Sequence, residues 1–418
     1  MRLLTTVAVL AGCSTSVLAW GAAGHEIAAT IAQIHLHPTV FPTLCAVLNF
    51  TSTNPNEPQC HLAPVAAWAD KLRYKMRWSA ARHYVGALDD HPSQTCAFPG
   101  SRGWAGKQDG NVLSAIRNVS NILDDPVYYR KTAGYDAANE ALKFLIHFMG
   151  DLHMPLHLTG RDRGGNSDKV LFNHRQTNLH SVWDGLLIAK ALRSVPRKYE
   201  RPLPSRKIEY ALRGTIYDSY VRMIMAEGIL TKWQPELNSW LTCPSTPDSA
   251  SHHALAFSFP TSLASFWQQA TLVWSRVMAG GSAINSDDDL ICPYHWAKPI
   301  HALNCDIVWP KALDKPPYNE TRLDGASSSS SHHHFIAPEA ELAQVDRAGK
   351  FVGSYAVGGP YLELDTPEYS GVIARDWIVE KLLAQAGIRL AGVLNYLFAE
   401  IEDPEEAKLW RGGLRVAL

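Results

Sequence analysis

An excess of charge of either sign is what this sequence most plainly lacks. Its 418 residues carry 39 Lys and Arg against 40 Asp and Glu, a net charge of −1 with neutral histidines. That excludes the basic carpet with which proteins grip duplex phosphates, so any phosphate chemistry must rest on a few local cations or on metals. Charged residues make up only 19% and hydrophobic residues 46%, a globular composition that excludes global disorder. Beyond the N-terminal stretch, no charge-free apolar run reaches membrane-spanning length. The long apolar C-terminal segment is interrupted by Glu380, Lys381 and Arg389. Strand signals are sparse and no internal repeat is present. What is abundant is histidine, 18 residues, alongside 13 tryptophans.

Residues 1–19 read as a signal peptide. Arg2 forms a positive n-region, residues 3–11 are mostly apolar, and Val17-Leu18-Ala19 ends in a small-residue cleavage box. Cleavage after Ala19 would make Trp20 the new N-terminus and the protein secreted. Three glycosylation sequons fit that route: Asn49-Phe50-Thr51, Asn118-Val119-Ser120 and Asn319-Glu320-Thr321. Removing Cys13 leaves six cysteines, an even number that suits an oxidising compartment. Sequence alone leaves their connectivity open; the pairs expected here are Cys45–Cys60, Cys96–Cys243 and Cys292–Cys305.

Helical patterns dominate. Residues 137–152 are nearly continuously apolar with few breakers, and residues 210–230 and 263–278 also read as helices. Near the C-terminus Val379, Leu382, Leu383, Ala386, Leu390, Val393, Leu394 and Leu397 follow helical spacing, with Gly387 and Gly392 counting slightly against it. Residues 168–172 suit half of a short hairpin. The expectation is a mostly α fold, a single large helical domain with its core in 20–286. A partly disordered surface insertion spans 287–359, a C-terminal helix in 360–401 packs back onto the core, and 402–418 form a tail. The insertion collects Pro, Ser and His, including Ser327–Ser331 and His332-His333-His334. The triple His reads as a solvated loop tract, because no partner ligand stands at helical spacing from it.

The densest chemical signal is His147-Phe148-Met149-Gly150-Asp151-Leu152-His153-Met154-Pro155-Leu156-His157. His147 and Asp151 are i,i+4 and leave one helix face together. Pro155 ends that helix and lets His157 approach from another direction. His180-Ser181-Val182-Trp183-Asp184 repeats the spacing. An imidazole and a carboxylate so placed suit zinc, which takes nitrogen and oxygen ligands without a strong geometric demand. Buried aspartates without a partner are costly, so two such pairs in apolar settings point to metal. Upstream, His25, Asp70, Arg73 and His83 are each ambiguous alone. A lone helical His is more often a hydrogen-bonded core residue, and Asp70 with Arg73 could be only an i,i+3 ion pair.

Taken in order, Trp20-Gly21-Ala22-Ala23-Gly24-His25, Trp68-Ala69-Asp70 with Arg73, His83-Tyr84-Val85, the His147–His157 block, Gly164-Gly165-Asn166 and Asn178-Leu179-His180-Ser181-Val182-Trp183-Asp184 resemble the zinc-dependent type I nucleases. These are the single-strand-specific nucleases and 3′-nucleotidases of fungi and plants, the mung bean nuclease type. The resemblance runs from Trp20 to about Gly281 and resumes from Tyr361 to Glu400. It implies a helical phospholipase C/zinc nuclease fold with three zinc ions in a cleft. Asp70, His83, His147 and Asp151 would hold one zinc. Asp151 would bridge to a second, held by His25 and by the amine and carbonyl of Trp20, which makes signal cleavage a maturation step. His157, His180 and Asp184 would hold the third.

The resemblance further implies hydrolysis of single-stranded DNA and RNA to 5′-phosphate products, with 3′-nucleotides as further substrates. Asp70 would orient or deprotonate the attacking water, and Arg73 would stabilise charge on the phosphoryl oxygens. Tyr84 stands where the family places an aromatic that stacks on a nucleobase, and Asp89 or Asp90 would accept from the base edge. The protein would act as a monomer without a membrane. One departure is Gly185, where the family often carries Asn or Thr. It removes a hydrogen bond near the scissile phosphate and weakens the expectation of 3′-nucleotidase activity. His61, His91, His153 and His174 match no ligand position. Two other classes compete: a phospholipase C-like zinc phosphodiesterase, against which the final His-x3-Asp and Tyr84 argue, and a non-catalytic secreted zinc-binding protein, which would have no need of Arg73.

Overall fold

The computed structural model describes residues 20–107, 110–125, 134–244, 287–288, 290–321, 360–411 and 413–417. The expected signal peptide, the helix at 263–278 and the Ser/His tract at 327–334 lie outside the described residues.

Apolar residues at helical spacing build the centre, and the fold is mostly α, as expected. The first helix, Ala22–Ile34, is buried along most of its length from Gly24 onward. It packs against the C-terminal helix Ile378–Phe398, and both lie against the central helix Gly134–Asp151. Gly387 sits at the crossing because no side chain fits there. A β-carbon would lie 2.6 Å from Ile31 Cγ2 and 2.8 Å from the Ala28 carbonyl oxygen. The helix Val112–Asp124 flanks the central helix and starts on a capping box: Asn111 Oδ1 accepts from the Leu113 and Ser114 amides at 3.0 and 3.1 Å.

The hairpin expected near 168–172 is present. β1 (Lys169–Phe172) pairs antiparallel with β2 (Arg175–Asn178), and Asn173 and His174 both take positive φ in the two-residue turn, as such hairpins require. β3 (Leu362–Glu363) adds parallel to β1, with Val170 opposite Leu362.

Four expectations are corrected. Residues 210–230 are not one helix. Arg206–Leu212 ends where Arg213 turns extended, the chain reverses through Gly214 at φ +81, and a second helix starts at Asp218. The stretch from 290 to 321 is not a surface insertion: the helix Pro293–Leu303 buries Trp296, Ala297 and Ile300, and Val308, Trp309 and Leu313 follow them into the core. Of the expected disulfides Cys45–Cys60 is present, but Cys96 pairs with Cys305 and Cys243 with Cys292 in place of Cys96–Cys243 and Cys292–Cys305. Cys292 and Cys305 flank a helix, which at 1.5 Å per residue holds them roughly 20 Å apart. A disulfide spans less than about 7 Å between α-carbons, so each pairs elsewhere. The segment expected as a tail also returns to the core: Leu414 is buried and the Ala417 amide donates to the His35 carbonyl at 3.0 Å.

Candidate metal centre

The end of the central helix carries the site. His147 and Asp151 leave one face, with His147 Nε2 3.3 Å from Asp151 Oδ2. The chain then turns at Pro155 into a short helical segment, Pro155–Leu158, which brings His157 back to within 3.6 Å of Asp151 Oδ1. The segment 77–83 supplies His83, whose Nδ1 lies 3.0 Å from Asp151 Oδ2 and 3.1 Å from His147 Nε2. Asp70, in the helix Trp68–Leu72, places Oδ1 3.7 Å from His147 Nε2. From the first helix His25 stacks on His147 with ring centroids 4.0 Å apart, its Nε2 3.4 Å from Asp151 Oδ1. Gly150 makes that approach possible, since a β-carbon there would come under 3.0 Å from His25 Nδ1.

His180 and Asp184 form the other wall. Asn178 caps their helix by accepting from the Ser181 amide at 2.7 Å. The helix then widens through a π-type turn, Val182–Leu186, and His180 Nε2 lies 3.7 Å from Asp184 Oδ2. Behind them the Trp183 indole donates to Tyr369 Oη at 2.7 Å, and that hydroxyl donates to the Val308 carbonyl at 2.7 Å. Trp20 is fully buried, and the next residue, Gly21, donates its amide to the Asp184 carbonyl at 2.7 Å. The start of the first helix is thereby tied to the last aspartate of the site.

Backbone carbonyls fix three of the rings. Nδ1 of His147 donates to Ala66, of His157 to His83, and of His180 to Gly164, at 2.8, 2.6 and 2.7 Å. A carbonyl only accepts, so each ring keeps Nε2 for another partner. The Gly164 carbonyl is presented by an unusual turn in which Asp162, Arg163, Gly164 and Gly165 all have positive φ.

The arrangement suits a cation. Among the described residues His25, Asp70 and His147, then His83, His147 and Asp151, then His157, His180 and Asp184, each bring ligand atoms within 4.8 Å of one another. His25 Nδ1 and Nε2, His83 Nε2, Asp70 Oδ2, Asp151 Oδ1 and Asp184 Oδ1 are buried without a hydrogen bond. An unsatisfied buried polar atom costs about 1–3 kcal/mol. Imidazole nitrogens with carboxylate oxygens are the donor set of zinc. The protonation balance agrees. Burial pushes His25 down to about 4 and His180 down to about 3, so both are neutral near pH 7. Burial opposes charge on His147 as well, but Asp151 and Asp70 outweigh it and hold the ring up at about 9. Burial together with Asp70 and Asp151 raises Asp184 well above the usual carboxylate range, and Arg73 opposes that rise.

The other expected residues divide. Arg73 caps the Trp68–Leu72 helix, half-buried and near enough for its charge to act on Asp184. Tyr84 is half-buried, its hydroxyl raised by burial and opposed by the charge of Arg163. The charge of Arg163 also acts on His180, so this residue, not anticipated from sequence, is near both the aromatic and the His/Asp cluster. Asp90 is not a free acceptor for a base. Its Oδ1 takes the Ala97 amide at 3.0 Å and His301 Nε2 at 2.9 Å, and its Oδ2 takes the Thr159 hydroxyl at 2.5 Å. Asp89 turns toward the loop at 100–102, accepting from the Arg102 amide at 3.4 Å. Asp90, Cys96 and His301 also converge, but Cys96 is held in the disulfide to Cys305 and offers no thiolate. Of the histidines set aside, His153 is buried and accepts from Arg389 at 2.8 Å, while His174 is almost fully exposed. Asn49, Asn118 and Asn319 are all exposed.

Comparison with known proteins gives a family and relatives. The S1/P1 nuclease family model matches residues 20–256. Endonuclease 2 of Arabidopsis thaliana is 30% identical over 231 residues, 54% of this chain and 69% of the relative. Nuclease S1 of Aspergillus oryzae is 35% identical over 185 residues, 44% and 59% of the two chains. Nuclease P1 of Penicillium citrinum is 33% identical over 175 residues, 41% and 60% of the two.

Proposed function

The chain belongs to the S1/P1 nuclease family, and from that premise we propose that it is a secreted zinc endonuclease acting on single-stranded DNA and RNA to leave 5′-phosphates. The observation that carries this reading is Asp151. Buried at the cluster's centre, it lies within 3.0–3.6 Å of His25, His83, His147 and His157. A carboxylate so surrounded is suited to bridge metals.

In this reading Asp70, His83, His147 and Asp151 would hold one zinc, His25, Asp151 and the Trp20 terminus a second, and His157, His180 and Asp184 a third. Bound zinc supplies Lewis acidity, which neutralises phosphate charge and acidifies water near neutral pH. The protein's own groups do the rest. Asp70 faces His147 through Oδ1, and its Oδ2, buried without a hydrogen bond, would take the proton of the attacking water. Arg73 presents a planar fork of donors to the phosphoryl oxygens. Tyr84 offers a face on which an unpaired base stacks, worth ~1–3 kcal/mol, and the charge of Arg163 acts close to it. Stacking needs a base out of the duplex, which gives the preference for single strands.

Secretion rests on the 1–19 segment and on the disulfides Cys45–Cys60, Cys96–Cys305 and Cys243–Cys292. Among the described residues no helix is long and apolar enough to cross a membrane. The test is cleavage of a 5′-labelled single-stranded oligonucleotide against its duplex, with product ends identified. Duplex preference or 3′-phosphate products would refute the reading.

A further inference from the structure

One stretch of surface breaks the charge balance of the chain. Residues 71–83 carry Lys71, Arg73, Lys75, Arg77 and Arg82 and no acidic residue. The same stretch exposes two large aromatics: Tyr74 is 64% and Trp78 is 52% accessible. Exposed tryptophan is unusual in a fold that buries Trp20, Trp183, Trp233, Trp296 and Trp309 almost completely.

The two features are interleaved. The Arg82 guanidinium lies 4.8 Å from the Trp78 ring and Lys75 Nζ 5.7 Å from the Tyr74 ring. Glu26 partly answers Lys71 and Glu140 partly answers Lys143. Among the described residues Lys75, Arg77 and Arg82 make no ion pair. A path of buried rings links the patch to the candidate metal centre. Trp78 meets Phe144 edge-on at 5.5 Å, Phe144 stacks on Phe148 at 5.0 Å, and Phe148 meets His83 edge-on at 5.3 Å. Arg73 stands at one end, beside Asp184, and Arg82 precedes His83 at the other.

We propose that residues 74–82 form a track for the single strand beyond the scissile bond, with bases stacking on Tyr74 and Trp78 and phosphates held by Lys75, Arg77 and Arg82. This rests on the nuclease reading and extends it from the cleaved nucleotide to its neighbours. Cations interleaved with exposed aromatic faces are what an unpaired strand requires, because every base has a stacking face and every link a charge. A duplex hides its base faces and gains nothing from Trp78. The track also explains how a chain of net charge −1 holds a polyanion: the cations are local.

The experiment compares zinc-loaded wild type, Trp78→Ala, Lys75→Ala/Arg77→Ala and Phe50→Ala on dT2, too short to reach the track, and dT12. The readout is the KM advantage of dT12 over dT2. It is expected to shrink by about five- to hundredfold in Trp78→Ala, the loss of one stacked base. In the double variant the slope of log affinity for dT12 against log salt should flatten by about 1.4. Phe50, 59% exposed on another loop, should leave the advantage as it is. An advantage unchanged in both track variants overturns the proposal while the nuclease reading stands. Wild type that cleaves neither oligonucleotide overturns both.

Discussion

Gly150 and His25 are in contact through an absence. The imidazole of His25 occupies the space a β-carbon on residue 150 would need, with Nδ1 under 3.0 Å from that position. This lets the first helix deliver an imidazole against the central helix one residue before Asp151. Gly150→Ala should therefore displace His25 rather than merely strain a helix. We expect zinc content to fall by about one ion per chain and activity to fall about tenfold or more. Metal analysis of the purified variant checks it. Full zinc content with normal activity would mean that His25 has no share in the centre.

Arg73→Lys keeps the charge and loses the planar fork. The expected result is a roughly hundredfold fall in kcat with unchanged zinc content, the size of losing a transition-state donor. Near-normal kcat would reduce Arg73 to a surface cation beside Asp184.

Proton release reports how the ligands are held before metal arrives. Without zinc, His147 is held up at about 9 and carries a proton at pH 7, whereas His25 at about 4 and His180 at about 3 do not. A zinc ligand must be neutral, so loading at pH 7 should release at least the proton on His147. Calorimetry in buffers of different ionisation enthalpy measures it. The metal-free protein should also lose stability as pH falls from 6.5 toward 4. There the unfolded chain binds protons that the depressed His25 and His180 refuse. No release, or a metal-free Tm flat across that window, would contradict the electrostatics.

Gly185 follows Asp184, and a β-carbon built there meets nothing within 4 Å. Gly185→Asn should therefore fold normally and raise hydrolysis of 3′-nucleotides relative to oligonucleotide cleavage. An unchanged ratio on 3′-AMP would show that this position does not govern the phosphomonoester reaction.

Chemistry based on local spacing was legible in the sequence. His147 with Asp151 and His180 with Asp184 share faces because four residues make about one helical turn, and a widened turn at 182–186 does not undo that. The long C-terminal helix followed from its apolar period, although Gly387 reads as a weakness until the crossing with Ile31 is seen. What escaped depends on contacts distant in sequence. Asp90 stands beside Asp89 in the chain but is claimed by His301 and Thr159. The segment 290–321 looks like a loop because its burial is shared with distant elements: Asn304 donates to the Pro155 carbonyl at 2.8 Å, bracing the turn that carries His157. The local disulfide Cys45–Cys60 was anticipated, but the partners of Cys96, Cys243, Cys292 and Cys305 were not, for the same reason. Arg163 gave no periodic signal, since its position comes from a left-handed turn.

The most direct test of the central claim is one preparation of secreted protein, analysed for its N-terminal residue, its zinc per chain and the ends it leaves on a single-stranded oligonucleotide. The account predicts Trp20 at the terminus, about three zincs, and 5′-phosphate products that disappear on chelation. A chain that begins before Trp20 yet holds three zincs and cleaves fully, or one that begins at Trp20 and cleaves without zinc, would contradict it.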